Sequence, residues 1–342
     1  MPRFVASVAG AAFGLVALAP LPAESQDWTR REFPLAPANS RGNFVAPYFD
    51  GFYKNADGTY TLSFGFMNRN DSDLIEIPLG ENNFIEPAQY NGVQPTSFPT
   101  VSYGGFGGPR ERGAFAVVVP ADYEGDVVWT LTTDGYTTKV PGRIRGRFEG
   151  LIGFEAAYEL GTTPQAEGSL RPALRFAEGG PDGIGLLGIQ HPQRFTTRVG
   201  QPIEVSLWAF DRGERELKDV NLTLWKHQGP VGATISFESF TGTIQPAGGR
   251  GGIGQLPGAA PAGGGRAGRG GRPAATGPVA VGQSVRLPIE GPDANMGRFR
   301  ATFDTPGEYL IRVRIDNFTT GDSAPGNQCC WSNGYVRVNV TN

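Results

Sequence analysis

Apolar and polar residues alternate in short runs along most of this chain, and the clearest run lies near its end. From Tyr309 the order Tyr-Leu-Ile-Arg-Val-Arg-Ile-Asp puts Tyr309, Ile311, Val313 and Ile315 on one face of a strand. Leu310, Arg312, Arg314 and Asp316 fall on the other, because strand side chains alternate with a period of two. A turn at Thr305-Pro-Gly-Glu delivers the chain into this strand, and a second alternating strand over residues 334–340, opened by Tyr335 and Val336, closes the chain. Between them, residues 317–333 read as a long loop.

The same period recurs upstream. Tyr60, Leu62, Phe64 and Phe66 alternate with Thr59, Thr61, Ser63 and Gly65, and Asp57-Gly58 supplies the turn back to a strand over 48–53. Further strands are predicted at 74–77, 113–119, 126–132 and 136–140, with an irregular stretch over 79–112. After a weakly patterned connection the period returns at Ile203, Val205, Leu207 and Ala209, then at Val220, Leu222 and Leu224, then over 234–240. A run of Gly, Ala, Pro and Arg over 247–279 cannot bury a core and predicts a disordered insert. Order resumes at Val285, Leu287 and Ile289, and again at Phe299, Ala301 and Phe303.

Short strands at this spacing predict an all-β protein with two immunoglobulin-like β-sandwich domains in tandem. The predicted division is a signal peptide at 1–25, an extended leader at 26–46, an N-terminal sandwich at 47–141, a connector at 142–194 and a C-terminal sandwich at 195–342. The 51 glycines and 28 prolines suit many turns. The first segment is apolar from residue 4 to 19, broken by Pro20 and Pro22, with small residues at Ala23 and Ser25. That pattern predicts export, with cleavage before Gln26 and no membrane span afterwards. A net charge of −3 gives no field that would favour nucleic acid.

Thr305-Pro-Gly-Glu-Tyr309 resembles the start of the penultimate strand in bacterial immunoglobulin-like and PKD-like extracellular domains, a likeness that covers about residues 195–342. The resemblance implies a tyrosine corner, in which the Tyr309 hydroxyl bonds back to the backbone of the turn. The N-terminal module, with its Asp57-Gly58 hairpin and Asn68-Arg-Asn turn, resembles modules of uncharacterised exported bacterial proteins, which implies no activity.

Both cysteines lie in the last loop, adjacent as Cys329-Cys330, with Trp331 beside them. Three outcomes compete in an oxidising compartment: a vicinal disulfide, disulfides between chains, or a free pair that binds a soft metal such as Cu(I). The vicinal bond ranks first because proximity outweighs intermolecular competition. These three residues are the candidate binding site; no catalytic residue, metal site or cofactor is assigned. Of the two histidines, His227 ends a strand and is expected at the surface. Gly183-Ile-Gly185-Leu-Leu-Gly188 fits a dinucleotide motif only literally, since His191-Pro192 stands where a helix should begin. Gly321-Asp322-Ser323 is read as a turn, and residues 68–73 as a solvated turn rather than a calcium loop. Arg250, Arg266, Arg269 and Arg272 belong to a spacer.

The expected function is non-catalytic: an exported binding or structural protein of the cell envelope, recognising a protein or polysaccharide partner through sandwich-end loops. The competing reading is a secreted hydrolase acting on polysaccharide, with carboxylates such as Glu81 and Glu86 between the domains.

Overall fold

The computed structural model describes residues 44–70, 74–100, 110–144, 159–160, 168–217, 219–245, 276–317 and 330–342. The predicted signal peptide, nearly all of the leader and the Arg-rich insert to residue 275 lie outside them.

The first eight strands build one hydrophobic cluster. They are β1 (Val45–Lys54), β2 (Tyr60–Asn68), β3 (Ile75–Glu76), β4 (Asn83–Glu86), β5 (Ser97–Phe98), β6 (Glu111–Val119), β7 (Val127–Thr133) and β8 (Tyr136–Gly142). They pair as β1-β2-β6, β4-β7-β8 and β3-β5. Gly58 takes φ 84°, and Asp57 Oδ1 accepts the Thr59 N–H at 3.0 Å, so the Asp-Gly turn forms as the sequence predicts. Phe64 stacks on Phe115 with centroids 5.1 Å apart, and Trp129 meets Phe115 edge-on at 4.9 Å. The Trp129 indole N–H donates to buried Asn83 Oδ1 at 3.0 Å, and the Asn83 amide donates to Ile77 O and Pro95 O. Asn83 thereby ties the stretch predicted as irregular to the core, and that stretch contains β4 and β5.

The rest of the chain builds a larger cluster. In order come β9 (Ala173–Arg175), β10 (Gly183–Ile184), β11 (Ile189–Gln190), β12 (Phe195–Arg198), β13 (Ile203–Phe210), β14 (Val220–Gln228) and β15 (Ile235–Ser239). Next are β16 (Thr243–Ile244), β17 (Gly277–Val279), β18 (Ser284–Leu287), β19 (Met296–Phe303), β20 (Gly307–Asp316) and β21 (Trp331–Thr341). One sheet runs β10-β9-β13-β19-β15-β17; the other runs β11-β21-β20-β14-β18-β16, with β12 also paired to β21. Ile311, Val313, Ile315, Val336 and Val338 are wholly buried between these sheets, with Phe299 and Phe303 among their neighbours in the core. Each such side chain contributes roughly 1.5–3 kcal/mol of burial. The architecture is an all-β sandwich.

Four expectations change. Gly277–Val279, predicted as the end of the disordered insert, pairs with β15 and buries Val279 in the core. Strands β9 to β11 join the C-terminal sheets from a stretch predicted as connector. Strand β21 begins at Trp331, not at 334, because Trp331, Ser332 and Asn333 pair with Asp316, Ile315 and Arg314. Finally, His227 is buried, not at the surface. The described residues all belong to one compact unit.

Candidate functional site

The outward face of the seven-stranded sheet is not a solvent face. Strand register sets three rows across β14, β20 and β21: Asn221–Asp316–Trp331, Thr223–Arg314–Asn333 and Trp225–Arg312–Tyr335. All nine residues are buried. Strand β6 meets Arg312, Arg314, Asn333 and Trp331, residues 95–99 lie beside Trp225, and Leu186 O accepts from Asn333 and Tyr335.

Gly65 and Gly113 let β6 come close. A Cβ on Gly65 would stand 2.2 Å from Glu111 O, and one on Gly113, at φ 57°, 2.5 Å from Trp331 Nε1. The β2–β6 register slips between Phe64 and Phe66, and the resulting bulge turns Glu111 toward the arginines. Arg312 Nη2 donates to Glu111 Oε1 at 2.5 Å, and its Nη1 to Ala114 O at 3.0 Å and Gly113 O at 3.2 Å. Arg314 Nη1 reaches the same Glu111 oxygen at 3.2 Å, and the Arg312 guanidinium lies over the Trp225 ring at 5.3 Å. Asp50 holds the bulge from behind. Its Oδ2 accepts the Gly113 N–H at 2.8 Å and the Ser63 hydroxyl at 3.2 Å, and Arg110 stands 3.5 Å from Oδ1. Burial pushes the Asp50 carboxyl up to about 6, against the lowering effect of Arg110 and the Gly113 N–H.

A second group of contacts lies at the end of β14. Lys226 donates to Glu76, to Pro230 O at 2.8 Å and to Ala233 O at 2.7 Å. His227 O accepts the Thr96 N–H at 2.8 Å, and its ring Nε2 donates to Val93 O at the same distance. Gln228 Nε2 donates to Gly92 O and Gln94 O. Burial, and then the charge of Arg312, depress His227 to about 3, so its ring is neutral. A cavity of about 10 Å³ adjoins Trp225, His227, Arg312, Phe66 and Ala114.

No family model and no curated protein matches the chain. Among solved structures, AvmM, which catalyses macrocyclization in alchivemycin A biosynthesis, is 14% identical, with a TM-score of 0.21 over 45% of this chain and 87% of that one. The PapD-like domain 7 of human CEP192 is 12% identical (TM-score 0.18; 53% and 87% covered). A mutant of the adhesin CfaE of enterotoxigenic E. coli is 10% identical (TM-score 0.20; 90% and 82% covered). At such scores these likenesses carry no argument, and the PKD-like resemblance has no family match beside it.

The predicted site residues fall differently. Trp331 is buried in β21, in a small cluster with Tyr53, Ala116, Leu160 and Leu186. Cys330 is buried at the entrance to the strand, and Cys329 lies outside the described residues, as does the rest of the loop back to 318. Glu86 ends β4 and Glu81 precedes that strand; both are exposed. His191 is half-buried between the rings of Phe176 and Phe195, and its Nδ1 accepts the Gln193 N–H. Asn68 Oδ1 accepts both Asn70 nitrogens, while residues 71–73 lie outside the described set, as do Gly321, Asp322 and Ser323. The glycines of the apparent dinucleotide motif serve packing instead. A Cβ on Gly188 would stand 1.7 Å from Asn333 O, and one on Gly183 2.4 Å from Ile189 Cγ2.

The polar seam was the part that strand alternation hid. Arginine and aspartate at every second position of β20 look like a solvent face. The available signal was aromatic: Trp225, Trp331 and Tyr335 occupy the same outward rows.

Proposed function

We propose that this is an exported, non-catalytic binding protein of the cell envelope, and that it recognises its partner through the connection between β20 and β21. The observation that carries the reading is the double-sided burial of that hairpin. Apolar side chains fill the sandwich below it, and the arginine–glutamate seam grips it from above. The two ends of the connection, Asn317 and Cys330, are themselves buried, so a partner does not have to order them. Asp50, Glu111 and His227 are each buried and bonded to neighbouring groups, which suits architecture rather than turnover. Export rests on the apolar segment over residues 4–19.

A Cys329–Cys330 bond would stiffen the end of the connection beside Trp331. Peptide mapping without reductant should place both cysteines in one fragment, two mass units below its reduced form. Replacing both by serine should leave the fold intact and weaken cosedimentation with envelope fragments. Ready alkylation of both thiols in untreated protein would refute the bond, and unchanged cosedimentation of the serine variant would refute the site.

A further inference from the structure

The end of β14 joins two stacks of sheets through Lys226, His227 and Gln228, and the surroundings of the histidine are ill-suited to a charge. Its main-chain oxygen holds the Thr96 N–H and its ring holds Val93 O, so residue 227 grips residues 92–96 from both backbone and side chain. The groups facing the ring come from three directions. Arg312 approaches from β20 and lowers the ring's proton affinity. Tyr335 of β21 packs against it, with centroids 5.5 Å apart. The neighbouring Lys226 ammonium is already held by Glu76 and two carbonyls. Glu111, the carboxylate that serves Arg312, is shared with Arg314 and does not bond the ring. The adjoining cavity has room for about one water, too little to solvate an imidazolium.

We propose that residues 92–96 and the end of β14 form an acid-sensitive clasp with His227 as its trigger: protonation of the ring opens the seam locally while both sheet stacks stay folded. In the closed clasp the ring is held at about 3, whereas an exposed histidine titrates near about 6.5. The clasp therefore has its full stability above pH ~6.5 and loses it as the pH falls toward about 3, by about tenfold in the opening equilibrium per pH unit.

Hydrogen exchange of the full chain at pH 7 and pH 5, corrected for intrinsic exchange rates, tests this. The Thr96 amide should lose protection about 25-fold at pH 5, as an opened ring titrating near 6.5 requires. Amides of the β20–β21 ladder should not follow it. In His227→Gln, whose side-chain amide can still donate to Val93 O, the Thr96 amide should lose this pH dependence. A Thr96 change of less than threefold, a drop that persists in His227→Gln, or an equal drop in the ladder overturns the proposal. Should that variant not fold, proton NMR of the wild-type histidines decides. A His227 ring that stays neutral at pH 5 while Thr96 loses protection upholds the clasp, and a ring titrating near its ordinary value in the closed protein overturns it.

Discussion

Glu111→Leu is the sharpest perturbation of the seam. The carboxylate is fully buried and accepts from two guanidinium groups that are themselves about 1–2% exposed. Removing it leaves Arg312 with the carbonyls of Gly113 and Ala114, and leaves Arg314 with Asp316 at 3.7 Å. Breaking a buried pair from one side costs about 3–5 kcal/mol, chiefly because the remaining charges stay out of water. At a urea slope of roughly 3 kcal/mol per M, the unfolding midpoint should fall by about 1–2 M with the slope unchanged. The quadruple variant Glu111→Leu, Arg312→Met, Arg314→Leu, Asp316→Asn removes the two buried carboxylates together with both guanidinium groups and should recover most of that loss. A cost below about 1 kcal/mol for the single change would put the pair in the range of solvated surface ion pairs and refute the reasoning.

Three further outcomes follow from named contacts. Tyr309→Phe removes the hydroxyl that donates to Thr305 O at 2.7 Å and should cost about 1 kcal/mol in urea unfolding, against about 3–5 kcal/mol for Tyr309→Ala; equal costs would contradict the corner. Asp50 is held at about 6 in the folded chain, above its ordinary 3.8, so its contribution to stability is full below pH 3.8 and is lost as the pH rises through about 6. At about 1.36 kcal/mol per pH unit that loss is roughly 3 kcal/mol, and the difference in unfolding free energy between wild type and Asp50→Asn, followed from pH 3 to 7, should change by that amount. Gly188→Ala combines a φ of 60° with a Cβ 1.7 Å from Asn333 O and should cost about 2–4 kcal/mol in the same assay; a neutral result would mean that β11 is not pressed onto β21.

Much of the fold was legible because alternation reports one buried face directly. Ile311, Val313 and Ile315 lie in the sandwich where the pattern placed them, and the Tyr309 hydroxyl reaches the turn as the resemblance implied. A second buried face is harder to read. Its residues are charged where each finds a partner from distant sequence, as Arg312 does in Glu111, and nothing local marks the pairing. His227 misled for the same reason, since its partner carbonyl at Val93 lies 134 residues away. Composition misled at β17, where Gly277 and Pro278 extend the low-complexity run while Val279 already belongs to the core. Of the candidate site, Trp331 and Cys330 can be followed into β21, whereas the loop before them lies outside the described residues.

The most direct test of the binding role replaces residues 318–329 with a Gly/Ser linker of equal length and measures cosedimentation with isolated cell-envelope fragments. The account predicts that wild type cosediments, that the replaced variant does not, and that both unfold at the same urea concentration. Equal cosedimentation of the two proteins would contradict it.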